Sequence, residues 1–413
     1  MKLAILCPHF APDTAPTGVV MTHIVEGLAE RGHELAVVTA LPWYRDHAVE
    51  PEFRGRWVRR TDTDWGRIVR VHPFPTDKRD IARRALAFGA FSALAGIEGL
   101  RLGPVDGVLA MSPPLTMGLT GWGVALPRRA PLVFNIQDVF PDVAIDLGVL
   151  RDPRVIAAAR WLERVSYGRS DAVTVLSDDL AENLEAKVSA AQRGKVRVIP
   201  NFVDTVAIAP TDRDTAYRHE LGLGDRTVVL YAGNVGLSQS LELVLEAARA
   251  MADDPSVVFV VNGSGSARPA LQEAAAGLAN VVFGDHQPIE RLGEVLATGD
   301  IHVIPLKRGL ARASVPSKTY SILAAGRPFV ASIDPGTEVA RVAERSGAGV
   351  AVPPEDPAAF VAALRAMVAD PAAARARGAQ GRAFVEQWAS PAAVAERYEA
   401  LFTELIEARA HRR

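Results

Sequence analysis

Arg308–Ser332 reads RGLARASVPSKTYSILAAGRPFVAS. It starts as a polar, basic loop with Arg308, Arg312 and Lys318 and reaches Pro316-Ser317. The pattern predicts a short helix over 319–325, a stop at Gly326 and a buried strand over 327–332. Ser317 is a residue type whose side chain caps a helix start. The free N–H groups and the dipole of a first helical turn favour an anion, and Lys318 adds a full positive charge. The combination fits a phosphate site. An ordinary loop-helix-strand unit with solvated charges fits the local pattern too.

The same alternation of apolar runs with amphipathic stretches extends in both directions, which signals parallel α/β sheets. Ahead of the opening stretch, strands are expected at 3–7, 35–39, 68–71, 107–111, 132–136, 172–176 and 196–199. Residues 201–225 are polar and read as a link. Strands then resume at 228–232, 257–261, 281–283, 301–305, 329–332 and 349–352. This rhythm predicts an amino-terminal Rossmann-like domain over 1–205 and a second over 206–387. A helix over 388–413 would pack back on the first domain. In open parallel sheets, ligands sit beyond the carboxyl ends of the strands. Two such edges facing each other would form a two-sided cleft.

Bulk properties agree with a two-domain α/β chain. At 413 residues the chain exceeds one ordinary core. A net charge of -2 gives no electrostatic case for nucleic acid. The single cysteine, Cys7, excludes an intrachain disulfide and suits a reducing compartment. The apolar run 3–7 is too short for a signal-peptide core, and no apolar run reaches the length of a membrane span. Charge is uneven, however. Residues 54–84 hold ten basic residues against four acids, ahead of a nearly apolar stretch over 85–97. A basic, apolar helix can lie on an anionic surface, or simply pack on the first sheet.

Polar residues at the carboxyl ends of these strands are the candidate site. Thr17 and Gly18 follow the first strand, where glycine would let an acceptor approach the backbone. Gln137 and Asp138 end the strand at 132–136. Asp138 could orient an acceptor hydroxyl, accept its proton, or cap a helix. Gly233, Asn234, Gly236 and Gln239 form a turn that could present N–H groups to a diphosphate. Gly263 lies in the next turn. His286 and Gln287 end the strand after it, on the edge suited to a base. Glu338 opens a helix, where a carboxylate suits the dipole, and could instead meet sugar hydroxyls. The D-x-D pairs Asp62/Asp64 and Asp212/Asp214 lie in polar connecting stretches and make poor metal sites. Neither HExxH nor GxSxG occurs.

Five phrases carry a wider likeness: EGLAERGHELAVVT (26–39), IQDVFPD (136–142), VRVIPNFVD (196–204), YAGNVGLSQSLE (231–242) and VPSKTYSILAAGRPFVAS (315–332). Together they resemble glycosyltransferase family four, and within it the branch that builds bacterial surface polysaccharides, similar to colanic-acid and N-acetylfucosaminyl transferases. The resemblance implies a GT-B fold and a retaining enzyme of hexosyl or N-acetylhexosaminyl type. A nucleotide diphosphate-sugar would lie on the second domain. A hydroxyl acceptor, lipid-linked or a polysaccharide precursor, would lie on the first. It further implies no cofactor, no metal requirement, and a cytoplasmic enzyme peripheral on the inner face of the membrane. Lys318 would meet the diphosphate, with Arg308 or Arg312 second, and a donor phosphate oxygen would help take the acceptor proton.

The chain also departs from that family. The usual glutamate pair is replaced by Ala313 and Ser321, so Ser321 offers only a hydroxyl to the ribose. The usual Arg and Lys of the diphosphate turn are Asn234 and Gln239, and a usual histidine is Gln137. Two alternatives therefore stand beside transfer: an epimerase of GT-B type, and a nucleotide-sugar-binding partner subunit without catalysis.

Overall fold

Short runs rich in Val, Ile and Leu, apolar at every position, form strands only where both sheet faces are covered. The computed structural model puts the central strands of both sheets there, and leaves several edge strands half-buried. It describes residues 1–76, 81–146, 150–236, 238–310 and 318–411, with the side chains of Ile81, Ala82 and Arg84 outside the description. The chain divides into two units, Met1–Asn201 with Pro391–Arg413, and Phe202–Ser390.

The first unit has eight strands: β1 (Lys2–Leu6), β2 (Glu34–Ala40), β3 (Val58–Thr63), β4 (Gly66–Val71), β5 (Gly107–Ser112), β6 (Leu132–Ile136), β7 (Ala172–Val175) and β8 (Val196–Val198). Their order is β3-β4-β2-β1-β5-β6-β7-β8. All neighbours run parallel except β3 and β4, which form an antiparallel hairpin with Asp62 opposite Arg67. This corrects the reading of Asp62-Thr63 as connecting chain. Strand β3 is an edge whose residues VRRTDT are half-buried or exposed, so no apolar alternation marks it, and pairing with β4 fixes its register. The hairpin also absorbs part of the basic stretch. Arg60 and Arg101 both pair with the buried Glu98, Arg67 pairs with Asp62, and the buried Arg70 donates to Ala11 O at 2.5 Å.

The helix Pro16–Glu30 begins at a proline, whose missing N–H costs nothing in a first turn. It therefore starts ahead of Met21, where the apolar periodicity begins. The last helix, Pro391–Ala410, packs along it: a Cβ added to Gly27 would sit 2.7 Å from Ala395 Cβ. Tyr398 on that helix is fully buried and receives a hydrogen bond from Asn135 Nδ2 at 2.9 Å. The carboxyl-terminal helix is thus part of the first unit's core.

The second unit has six parallel strands: β9 (Thr227–Ala232), β10 (Val257–Asn262), β11 (Val281–Gly284), β12 (Ile301–Pro305), β13 (Phe329–Ser332) and β14 (Gly349–Val352), ordered β11-β10-β9-β12-β13-β14. Its helices start at local signals. Asp356 and Asp370 accept from backbone N–H groups and are followed by Pro357 and Pro371. The helix Lys318–Ala324 is as short as its sequence suggests.

Candidate functional site

Strand order locates the crevice in each unit. In the second, the chain leaves β9 for β10 on one side and starts β12 on the other. The carboxyl ends of β9 and β12 therefore form a topological switch point, the usual ligand position in such sheets. Gly233 follows β9 there, with φ of +145°, a conformation reserved for glycine. Its backbone continues the ladder: Gly233 N–H donates to Asn262 O at 3.0 Å, and Gly263 N–H to Gly284 O at 3.1 Å. A Cβ on Gly263 would lie 1.9 Å from Gly233 O. The close approach at Gly263 is thus made by the chain's own turn.

Lys318 reaches this edge from its helix. A Cβ at Gly233 would sit 3.1 Å from Lys318 Nζ, and that ammonium lies 4.1 Å from the centre of the Tyr231 ring. No carboxylate pairs with it among the described residues. Burial pushes its pKa down to about 8. Tyr231 Oη in turn donates to Asn234 O at 2.6 Å, so ring, turn and lysine form one packed group. An ammonium without a carboxylate can take an anion as its partner.

The other expected donor residues differ in exposure and in partners. Gln239 Oε1 accepts from Gly236 N–H at 3.1 Å, which closes the turn internally. Asn234 is exposed, and Ser321 is half-buried on the Lys318 helix. His286 is exposed, and Gln287 Oε1 accepts from Arg291 Nη1 at 2.9 Å. Arg308 donates to Pro354 O at 2.9 Å and lies 3.8 Å from Glu355, so it serves the loop after β14. Glu338 is buried and accepts from Tyr320 Oη at 3.0 Å. Arg312, Pro316, Ser317 and Ala313 lie outside the described residues.

Arg268 is a residue the sequence does not announce. It donates to Gly263 O, to Gly284 O at 3.0 Å and to Asp285 at 2.8 Å. One guanidinium thereby pins the turns after β10 and β11. Tyr217 joins it by donating to Asn262 Oδ1. Only the fold brings these segments together, and no local spacing could reveal the arrangement.

In the first unit the switch point lies between β1 and β5. Gln137 ends β6, but it is buried and spent internally: Nε2 donates to Asn135 Oδ1 at 2.7 Å, and Oε1 accepts from Asn201 Nδ2 at 2.8 Å. Asp138 is the exposed neighbour, although surrounding protein still desolvates its carboxyl enough to raise its pKa. Thr17 and Gly18 lie in the first turn of Pro16–Glu30. A Cβ on Gly18 would meet His9 Cβ at 2.9 Å, so His9–Phe10 already fills the close approach expected of a ligand. His9 itself bonds Asp13 through Nδ1 at 2.7 Å, beside Trp43 and Tyr44.

Comparison with known proteins agrees with this architecture. Residues 17–201 match the family model described as "Glycosyl transferase 4-like domain", and residues 226–370 match "Glycosyl transferases group 1". The chain is 30% identical over 377 residues to the putative colanic acid biosynthesis glycosyl transferase WcaI of Escherichia coli K12, covering 88% of this chain and 91% of that protein. In structure it is similar to sucrose-phosphate synthase from Thermosynechococcus elongatus, with TM-score 0.70, 19% identity, and 99% and 100% of the two chains covered. It is also similar to Anabaena Alr3699/HepE, solved in complex with UDP-glucose, with TM-score 0.61, 13% identity, and 98% and 100% covered.

Proposed function

Because the chain belongs to glycosyltransferase family four and has the GT-B fold, we propose that it moves a hexosyl or N-acetylhexosaminyl group from a nucleotide diphosphate-sugar to a hydroxyl acceptor, with retention at the anomeric carbon. The observation that carries this reading is Lys318, desolvated and without a carboxylate partner among the described residues, beside the Gly233 turn. A diphosphate is the anion that a sugar donor releases. Stabilising it as it departs is the largest contribution such a site can make. The nucleotide sugar bound by the Anabaena protein supports the donor class. The Escherichia coli relative, a putative transferase of colanic acid biosynthesis, supports an acceptor in cell-surface glycan biosynthesis, lipid-linked or a polysaccharide precursor.

The test is an incubation with a panel of nucleotide sugars, with and without acceptor, for wild type and Lys318→Ala. Nucleoside diphosphate release should need the acceptor and should fall about 100-fold or more in the variant. Product without any acceptor would favour an epimerase. Donor binding without transfer or hydrolysis across a broad acceptor panel would favour an inactive partner subunit.

The same reading places the protein at the inner face of the membrane. No single described helix is long and apolar enough to cross one. Exposed Trp57 (63%) and Leu86 (75%) stand within or beside the basic stretch, a combination suited to an anionic surface. Flotation with phosphatidylglycerol vesicles at low salt tests it: binding that fades with salt supports peripheral association, and no binding removes it.

A further inference from the structure

Among the described residues no strand pairs with the outer edge of β3, which begins the sheet order. It is also the longest of the edge strands, with six residues against three in β8 and four each in β11 and β14. Shortness is one protection of an edge against pairing with another chain, and β3 lacks it. The direction of its backbone groups follows from one contact. His72 N–H donates to Trp57 O at 2.9 Å. Residues 57, 59, 61 and 63 therefore turn their backbone groups towards β4, in the register that sets Thr61 opposite Ile68. Val58, Arg60 and Asp62 turn theirs outwards. Arg60, Thr61 and Asp62 are all exposed.

The charges on this edge suit one partner, a second copy of the same strand. The side chains of Arg60 and Asp62 lie on one face of the sheet and that of Thr61 on the other. Arg60 pairs with Glu98 of the helix Ile81–Leu100, and half of its side chain stays exposed. Arg67 meets one oxygen of Asp62 at 2.7 Å, and 76% of the Asp62 side chain stays exposed. Two copies that extend one antiparallel sheet meet about a two-fold axis perpendicular to it. Facing side chains share a face, and side chains alternate, so the axis passes through a residue that lies opposite itself. Of the four inner positions, Arg59, Arg60 and Asp62 would each meet its own charge there, which destabilises a sheet. Centring on Thr61 sets Thr61 opposite Thr61, and Arg60 opposite Asp62 on both sides of the axis. Residues 60 and 62 are the outward-facing ones, so in this register they exchange both backbone hydrogen bonds.

We propose that β3 pairs with β3 of a second copy in this register, so that two first units share one continuous sheet. A ladder of charge then runs from Arg101 through Glu98 and Arg60 to Asp62 and Arg67 of the second copy, and returns symmetrically. The two Thr61 side chains meet on the opposite face, a favourable cross-strand pair. The same charges keep the edge selective, because a strand without the matching pattern meets unpaired charge. The joint is short and polar, so association belongs in the micromolar range. The β1–β5 switch point lies inward of β4 and β2, and the pairing leaves it open. The pairing does not rest on the transfer reading.

The experiment follows the full chain by sedimentation velocity from low to high micromolar concentration, with each variant checked by thermal melting. Wild type should pass from monomer to dimer. Arg60→Glu and Asp62→Arg should each weaken the dimer about tenfold or more, because each places like charges at the joint twice. An equimolar mixture of the two variants should dimerise again, since the new glutamate faces the new arginine and Asp62 faces Arg60. Thr61→Cys should form an intermolecular disulfide under mild oxidation, because a non-hydrogen-bonded pair holds its Cα atoms about 4.5 Å apart. Cys7 is fully buried, so wild type should not cross-link. Thr63→Cys would lie about 14 Å from its copy in this register and should not link either. A wild type that stays monomeric overturns the pairing. A dimer that neither charge variant weakens, a mixture that does not recover, or a Thr61→Cys protein that links no faster than Thr63→Cys overturns it as well. Should Arg60→Glu fail to fold, Asp62→Arg and the two cysteine variants decide.

Discussion

Replacing Lys318 by methionine should make the second unit more stable and its donor site worse. Desolvation pushes the Lys318 pKa from 10.5 to about 8. Each tenfold in proton affinity is about 1.4 kcal/mol, so holding the charge there at neutral pH costs about 3 kcal/mol. The Tyr231 ring at 4.1 Å returns about 1 kcal/mol of that. Methionine keeps the length and the ring contact without the charge, so the expected gain is about 2 kcal/mol at pH 7. The sign follows from linkage. Below about pH 8 the lysine is charged in both states and the full penalty stands. Between there and 10.5 the unfolded chain holds the proton that the folded one has released, so wild-type stability rises with pH. Above 10.5 the penalty is gone, and the advantage of Lys318→Met should vanish. Hydrogen exchange of the most protected amides in β9–β14 at pH 7 and at alkaline pH reads the difference. A variant less stable than wild type, or a gain that does not shrink with pH, would refute the reasoning.

Other perturbations probe neighbouring links. Diphosphate binding near pH 8.5 should take up a proton, seen as buffer-dependent heat in calorimetry, and the uptake should disappear in Lys318→Met. Gly263→Ala would press a Cβ onto Gly233 O at 1.9 Å, and chemical denaturation should show a loss of about 3 kcal/mol or more. Arg268→Ala frees the turns after β10 and β11, so nucleotide affinity measured by calorimetry should drop about tenfold while the melting temperature moves little. Tyr398→Phe removes the hydroxyl that receives Asn135 Nδ2 and should cost the first unit about 1–2 kcal/mol in urea.

The second unit's strands were legible because each is a compact, mostly apolar run; β10, β12 and β13 are buried throughout and β9 at all but its ends, while β11 and β14 are half-buried edges. β9 to β14 fall within a residue or so of the expected runs. β3 was not, since an exposed edge takes its register from its neighbour. The site divides in the same way. Lys318 beside Gly233 follows from strand-end logic applied to one sheet. The internal network of Gln137 with Asn135 and Asn201 was not legible, because only the fold brings residue 201 to the end of β6. Arg308 is similar: its charge is visible in the sequence, but its attachment to Pro354 and Glu355 is not. The His9–Asp13 pair escapes notice because an i, i+4 spacing has no fixed meaning in a loop. Only the packing of the segment after β2 against the segment after β1 gives it one.

The most direct measurement is a calorimetric titration of the protein with a panel of nucleoside diphosphates and their sugars, beside the matching monophosphates. At least one diphosphate should bind, its monophosphate should bind more weakly, and Lys318→Met should weaken the diphosphate by about 30-fold or more, as expected for one lost charge-assisted contact. Binding of none of them, or equal binding by Lys318→Met, would contradict a diphosphate site at the carboxyl ends of β9 and β12.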